Sequence, residues 1–136
     1  MGKVLVFGSF DLIHLGHRYF FKEAKKIGDT LIVVVGRDST VERVKGEKPW
    51  YNENERLEDV KKIKEVDRAF LGSKGDKFKI VEDIKPDVIA LGYDQDSFTD
   101  NLEEELKKRG LRIKIVRLEG YMTDKYKSSL LKKGDR

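Results

Sequence analysis

Both histidines of this 136-residue chain, His14 and His17, stand three residues apart in one run, Gly8-Ser9-Phe10-Asp11-Leu12-Ile13-His14-Leu15-Gly16-His17. The run follows an apolar stretch and leads into a helical pattern, so it reads as the turn that joins a strand to a helix. A helix start offers free N–H groups and the positive end of a dipole, a ready site for a phosphate. Two imidazoles at that terminus can donate hydrogen bonds to the same phosphate oxygens and favour a state in which negative charge builds up on them. Gly8 lets the chain turn tightly, and Gly16 lets a ligand approach the helix start. The plainer alternative is a connection carrying one capping and one surface histidine. The run is neither a G-x-G-x-x-G fingerprint nor a P-loop, since no Gly-Lys-Ser/Thr occurs.

Composition removes other chemistries. With no cysteine, the chain has no disulfide, thiolate zinc site or cysteine nucleophile, and two histidines cannot build a three-histidine metal centre. Lysine and arginine number 29 against 25 acids, a net charge of +4, and Lys114 to Arg136 accounts for the surplus. That excess is too small to argue for a nucleic-acid partner, but it suits a phosphate-rich small ligand; its alternative is a solvated terminal helix. No apolar run approaches the ~20 residues that cross a bilayer, and Met1-Gly2-Lys3 leads directly into a short apolar stretch without a signal-peptide layout. The expectation is a cytoplasmic protein without membrane partners. Abundant Lys and Glu beside scarce Asn, Gln and Met is a pattern of hot environments.

The positioning elements follow from apolar spacing. Lys3 to Phe7 and Thr30 to Val35 are continuous apolar runs ended by Gly8 and Gly36, as buried parallel strands require. Between them Phe20, Ala24 and Ile27 recur at helical spacing, with Gly28 as the stop. A second helix is expected from about Asn54 to Glu65, strands at 68–71 and 87–91, and a helix through Phe98, Leu102 and Leu106 stopped by Gly110. A last strand over 111–118 and a short helix over 128–133 complete the pattern. The expectation is α/β: one domain spanning 1–136, built on a doubly wound, five-stranded parallel sheet that binds its ligand beyond the carboxyl ends of the strands.

The run G-[ST]-F-D-x-x-H-x-G-H resembles the signature of the nucleotidylyltransferase superfamily, and every fixed position of it is present. The similarity covers nearly the whole chain and points most closely to the archaeal FAD synthases. It extends through Arg37 to Val41, Lys45-Gly46-Glu47-Lys48-Pro49, Glu55-Arg56-Leu57, Leu71-Gly72-Ser73, and Lys85 to Gln95. The resemblance implies a Rossmann-like fold and transfer of AMP from ATP to FMN. The acceptor phosphate attacks the α-phosphate, pyrophosphate leaves, and no covalent enzyme intermediate forms. It implies Mg²⁺ carried by the triphosphate, with no protein ligand assigned, and a homodimer. Carried over by position, Gly8, Ser9, Phe10, Leu15 and Gly16 would contact the nucleotide. His14, His17 and Lys45 would be catalytic, and Arg56 would face a phosphate. Gly92 and Asp94 would lie beside the nucleotide, Tyr121 would pack on the base, and Ser128 and Ser129 would hold the β- and γ-phosphates. Each has a plainer alternative: surface charge for Lys45 and Arg56, an Asx turn for Asp94, a helix N-cap for the serine pair.

Two features bear on the acceptor. The stretch Arg117 to Ser129 is longer than the compact R-T-E-G-I-S-T of glycerol-phosphate cytidylyltransferases, whose substrates, CTP and a polyol phosphate, are the alternative. Asp124 stands in that insertion where archaeal relatives carry cysteine, which opens a second alternative, a nucleotide-binding module that has lost catalysis. For a flavin ring the chain offers Trp50, Tyr51, Phe98, Tyr121 and Tyr126, of which sequence selects none.

Overall fold

In a computed structural model the described residues are 2–11, 15–72, 78–92 and 102–118. They form strands β1 (Lys3–Gly8), β2 (Thr30–Val35), β3 (Arg68–Leu71), β4 (Val88–Leu91) and β5 (Lys114–Arg117). Between these run helices α1 (Leu15–Lys25), α2 (Asp38–Lys45), α3 (Glu53–Lys61), α4 (Lys79–Ile84) and α5 (Leu102–Lys108). All the strands are parallel, in the order β3-β2-β1-β4-β5, so the expected five-stranded doubly wound sheet is present.

Alternation along the strands divides the core in two. Val4 and Val6 of β1 with Leu31, Val33 and Val35 of β2 meet Phe21 and Ala24 of α1 and Val60 of α3 on one face. Leu5, Ile32, Val34 and Ile89 meet Val81, Leu102 and Leu106 from α4 and α5 on the other. The central strands are buried on both sides, which is why they read as unbroken apolar runs.

Two helices, α2 and α4, lie where no helix was expected. Arg37, the residue before α2, supplies no side-chain cap; the Asp38 N–H instead donates to Glu53 Oε1 at 2.9 Å, and Gly46 closes the helix at φ 79°. α4 has only six residues and no side-chain cap either. The helix expected over 54–65 ends at Lys61, because the chain turns tightly through Ile63 N–H to Val60 O. The last strand is shorter than expected. Leu111 N–H returns to Leu106 O and Gly110 sits at φ 69°, so this segment closes α5 instead of entering the sheet. Phe98 and the expected helix over 128–133 lie outside the described residues.

At the amino ends of the strands, exposed carboxylates receive backbone N–H groups. Asp87 Oδ2 accepts from Lys3 N at 2.8 Å, and Asp67 Oδ2 from Leu31 N at 2.7 Å and from Lys25 Nζ. The lysine, and after it the Leu31 N–H, holds the Asp67 carboxyl below its ordinary range.

Candidate active site

The strand order reverses between β1 and β4, so the crevice of this sheet opens beyond their carboxyl ends. Val4 pairs with Val88 and Leu5 with Ile89; three residues further on, Gly8 and Gly92 stand level on the two sides of the opening. Bare backbone therefore lines it on both sides. The Gly92 carbonyl is held by Arg117 Nη1, 2.8 Å away at the end of β5.

The loop after β1 turns at an unexpected residue. The left-handed position is Phe10, at φ 49°, while Gly8 does not adopt a positive φ. A side chain at Gly8 would place its Cβ 2.5 Å from the Phe10 ring, so Gly8 is bare to admit that ring. A bulky residue held in the left-handed region costs roughly 1–3 kcal/mol, and such strain gathers at functional sites. The ring is 4 % exposed and packs on Phe21 with centroids 5.0 Å apart, and edge-on to His17 at 5.5 Å. Phe10 was expected to touch the nucleotide; its ring is buried and its edge contact supports His17.

Arg56 is likewise turned inward. Its side chain is fully buried. Nη1 donates to Ser9 O at 2.8 Å, Nε to Tyr51 O at 3.0 Å, and Nη2 to Asp38 Oδ1 at 2.7 Å. In this arrangement the guanidinium holds the polypeptide around the site, its nitrogens turned to protein acceptors where a phosphate partner was expected. The connection continues outward: Glu53 accepts from Asp38 N–H through Oε1 and from Arg37 Nη1 through Oε2 at 3.1 Å, and Arg37 Nε donates to Gly72 O at 2.8 Å. One chain of hydrogen bonds through Arg56, Asp38, Glu53 and Arg37 thus crosses the carboxyl ends of β1, β2 and β3. Asp11 adds a second clamp, its two oxygens accepting from the N–H groups of Trp50 (2.6 Å) and Tyr51 (2.9 Å).

His17 lies in the first turn of α1, half-buried, and Leu15 and Gly16 open that helix. Lys45 is the last residue of α2. His14, Asp94, Tyr121, Ser128 and Ser129 lie outside the described residues, as does Asp124. Sequence reasoning gave no role to Asp11, Asp38 or Glu53. Asp11 carried a signal by standing inside the motif run, and Asp38 by standing in the similar stretch Arg37 to Val41. Among the described residues no three His, Cys, Asp or Glu side chains gather as metal ligands.

Comparison with known proteins bears directly on this strand-loop-helix. The family model described as cytidylyltransferase-like matches residues 5–134. This chain belongs to that family. An FAD synthase of Aciduliprofundum boonei is 53% identical over 121 residues, covering 89% of this chain and 80% of the relative. An FAD synthase of Methanothermus fervidus is 53% identical over 117 residues, covering 84% of this chain and 80% of its own length. A crystal structure from Thermoplasma volcanium, described as a lipopolysaccharide core biosynthesis protein, superimposes with a TM-score of 0.81 at 48% identity, over 88% of this chain and 97% of that one. Cytidylyltransferase-like membership fits the crevice between β1 and β4 and the histidine-bearing helix start beside it.

Proposed function

We propose that this chain, read as one domain, is an FAD synthase: a nucleotidyltransferase that joins AMP from ATP to FMN and releases pyrophosphate. The observation that carries this reading is identity of about one half to archaeal FAD synthases over most of both chains, together with a complete G-S-F-D-x-x-H-x-G-H run at the expected βα turn.

The phosphate of FMN is ionised at neutral pH, so it attacks the α-phosphorus without a general base; catalysis is positioning and charge stabilisation. The triphosphate lies over Gly8, Ser9 and the start of α1, where N–H groups and the helix dipole meet negative charge. Mg²⁺ enters with the triphosphate as part of the substrate. His17 and His14 donate to phosphate oxygens as the P–O bond to pyrophosphate breaks, and Lys45 supplies a mobile charge to the leaving group. Asp94 and Tyr121 hold the base and ribose, and Ser128 and Ser129 the β- and γ-phosphates. Phe10 and Arg56 act one step removed, one bracing His17 and the other fixing Ser9. The enzyme works as a cytoplasmic homodimer.

Pyrophosphate release tests this, with ATP and CTP each crossed against FMN, glycerol 3-phosphate and a sugar phosphate, and FAD followed by chromatography. FAD formed from ATP and FMN is the expected result. Turnover confined to CTP with a polyol or sugar phosphate would keep the site and change the substrates. Nucleotide binding without turnover on any acceptor would indicate a binding module.

A further inference from the structure

Trp50 is 79 % exposed, more than any other large hydrophobic side chain among the described residues. An indole left in water forgoes a large gain from burial, and aromatic side chains of this kind are the usual anchors of binding surfaces. Its backbone, in contrast, is fixed. Asp11 accepts from Trp50 N–H and Tyr51 N–H at once, and the Tyr51 carbonyl accepts from buried Arg56, which also holds Ser9. The indole is therefore free in solvent on a segment tied at three points to the loop that follows β1. A ring presented in that way loses little entropy on meeting a ligand.

The surroundings select the kind of ligand. Asp11 and Tyr51 also line an open cavity of about 800 Å³ between α1 and α3, whose other walls include Glu55, Glu58 and Asp59 together with Arg18 and Lys62. With four carboxylates against two cations the lining is net negative, which disfavours a phosphate but leaves a neutral, flat ring unopposed. FMN meets both conditions. Its ribityl chain separates the charged end, which must reach the α-phosphate beside the β1 loop, from an electron-poor ring that must come to rest elsewhere.

Resting on FMN as the acceptor, we propose that Trp50 is the face on which the isoalloxazine ring stacks, with Tyr51 at its edge. The net negative charge of that lining keeps the phosphate end turned toward the crevice between β1 and β4.

The test uses the full chain, with FMN and ATP binding measured separately by equilibrium dialysis on wild type, Trp50→Leu and Trp50→Phe. Stacking of this kind predicts that Trp50→Leu weakens FMN binding about tenfold and raises the KM for FMN to match, with ATP affinity unchanged; Trp50→Phe stays within about threefold of wild type. Trp50 is the sole tryptophan, so its emission, corrected for flavin absorbance, is quenched saturably by FMN. Wild-type FMN affinity in Trp50→Leu, with FAD still formed, would place the ring elsewhere and leave the acceptor standing. A Trp50→Leu chain that changes its oligomeric state in sedimentation while keeping its FMN affinity would show that a second copy covers the indole. Wild type that neither binds FMN nor makes FAD would overturn both proposals.

Discussion

The two ends of the sheet use the same kinds of residue, carboxylates beside lysine or arginine, but at different depths. At the amino ends, Asp67, Asp87 and Asp29 each take a backbone N–H at or near the surface, and the Asp67–Lys25 pair is open to solvent on both sides. At the carboxyl ends, a fully buried guanidinium holds Ser9, Tyr51 and Asp38, and Glu53 and Arg37 extend the connection to Gly72. Exposed ion pairs contribute about 0–1 kcal/mol, whereas removing one partner of a buried one costs about 3–5 kcal/mol. The amino end is fastened by separate, weak tethers that can fail one at a time. The carboxyl end is a connected unit, in which one set of hydrogen bonds joins Ser9, α2 and the start of α3. That is what a transition-state site needs, because a misplacement of one ångström at the reacting atoms is costly.

Variants of decreasing effect sharpen this contrast. His17→Ala removes the proposed phosphate donor and is expected to lower turnover about a hundred- to a thousandfold. Its unfolding midpoint in urea should move less than that of Arg56→Met, since His17 is half-buried and its contact with Phe10 is an edge-on one. Turnover within a few-fold of wild type would remove His17 from the chemistry. Arg56→Met leaves two carbonyls without their donor and is expected to cost about 3 kcal/mol in urea unfolding. Arg56→Lys should recover part of the stability but less of kcat, because one ammonium cannot reach three acceptors in a plane. If both variants unfold like wild type, the carboxyl end is no more connected than the amino end. Glu53→Gln keeps the shape and removes the charge. About 1 kcal/mol of stability should go, and α2 should fray first, seen as faster hydrogen exchange at its amino end.

Asp67→Asn belongs to the opposite end and should be the mildest. Its carboxyl titrates lower when folded than when unfolded, so its contribution is complete above the unfolded value and is lost as pH falls through the folded one. The variant should lose less than about 1 kcal/mol at neutral pH and flatten the stability curve below about pH 4, with kcat unchanged. A fall in kcat would mean that the two ends are coupled through β2.

Much of this was legible locally. The strand runs announced a doubly wound sheet because strands buried on both faces have no room for polar residues. The motif run marked a candidate site because a glycine turn, a helix start and two histidines are neighbours in sequence. The Asn52-x-x-Glu55 capping box that opens α3 is also local and available to a reader of the sequence. Other features were not. α2 carries no cap of its own and begins because Glu53, fifteen residues on, accepts its first N–H. Arg56 looks like any surface cation until Ser9, 47 residues away, closes over it. Phe10 takes a backbone conformation that its residue type disfavours because a core of Phe21 and His17 receives its ring. Sequence alone therefore determined the five strands and the helices α1, α3 and α5, and marked a candidate anion site after β1, all matters of spacing and residue type. Tertiary structure alone decided which charges are buried and which residues hold others in place, since burial and pairing depend on groups far apart along the chain.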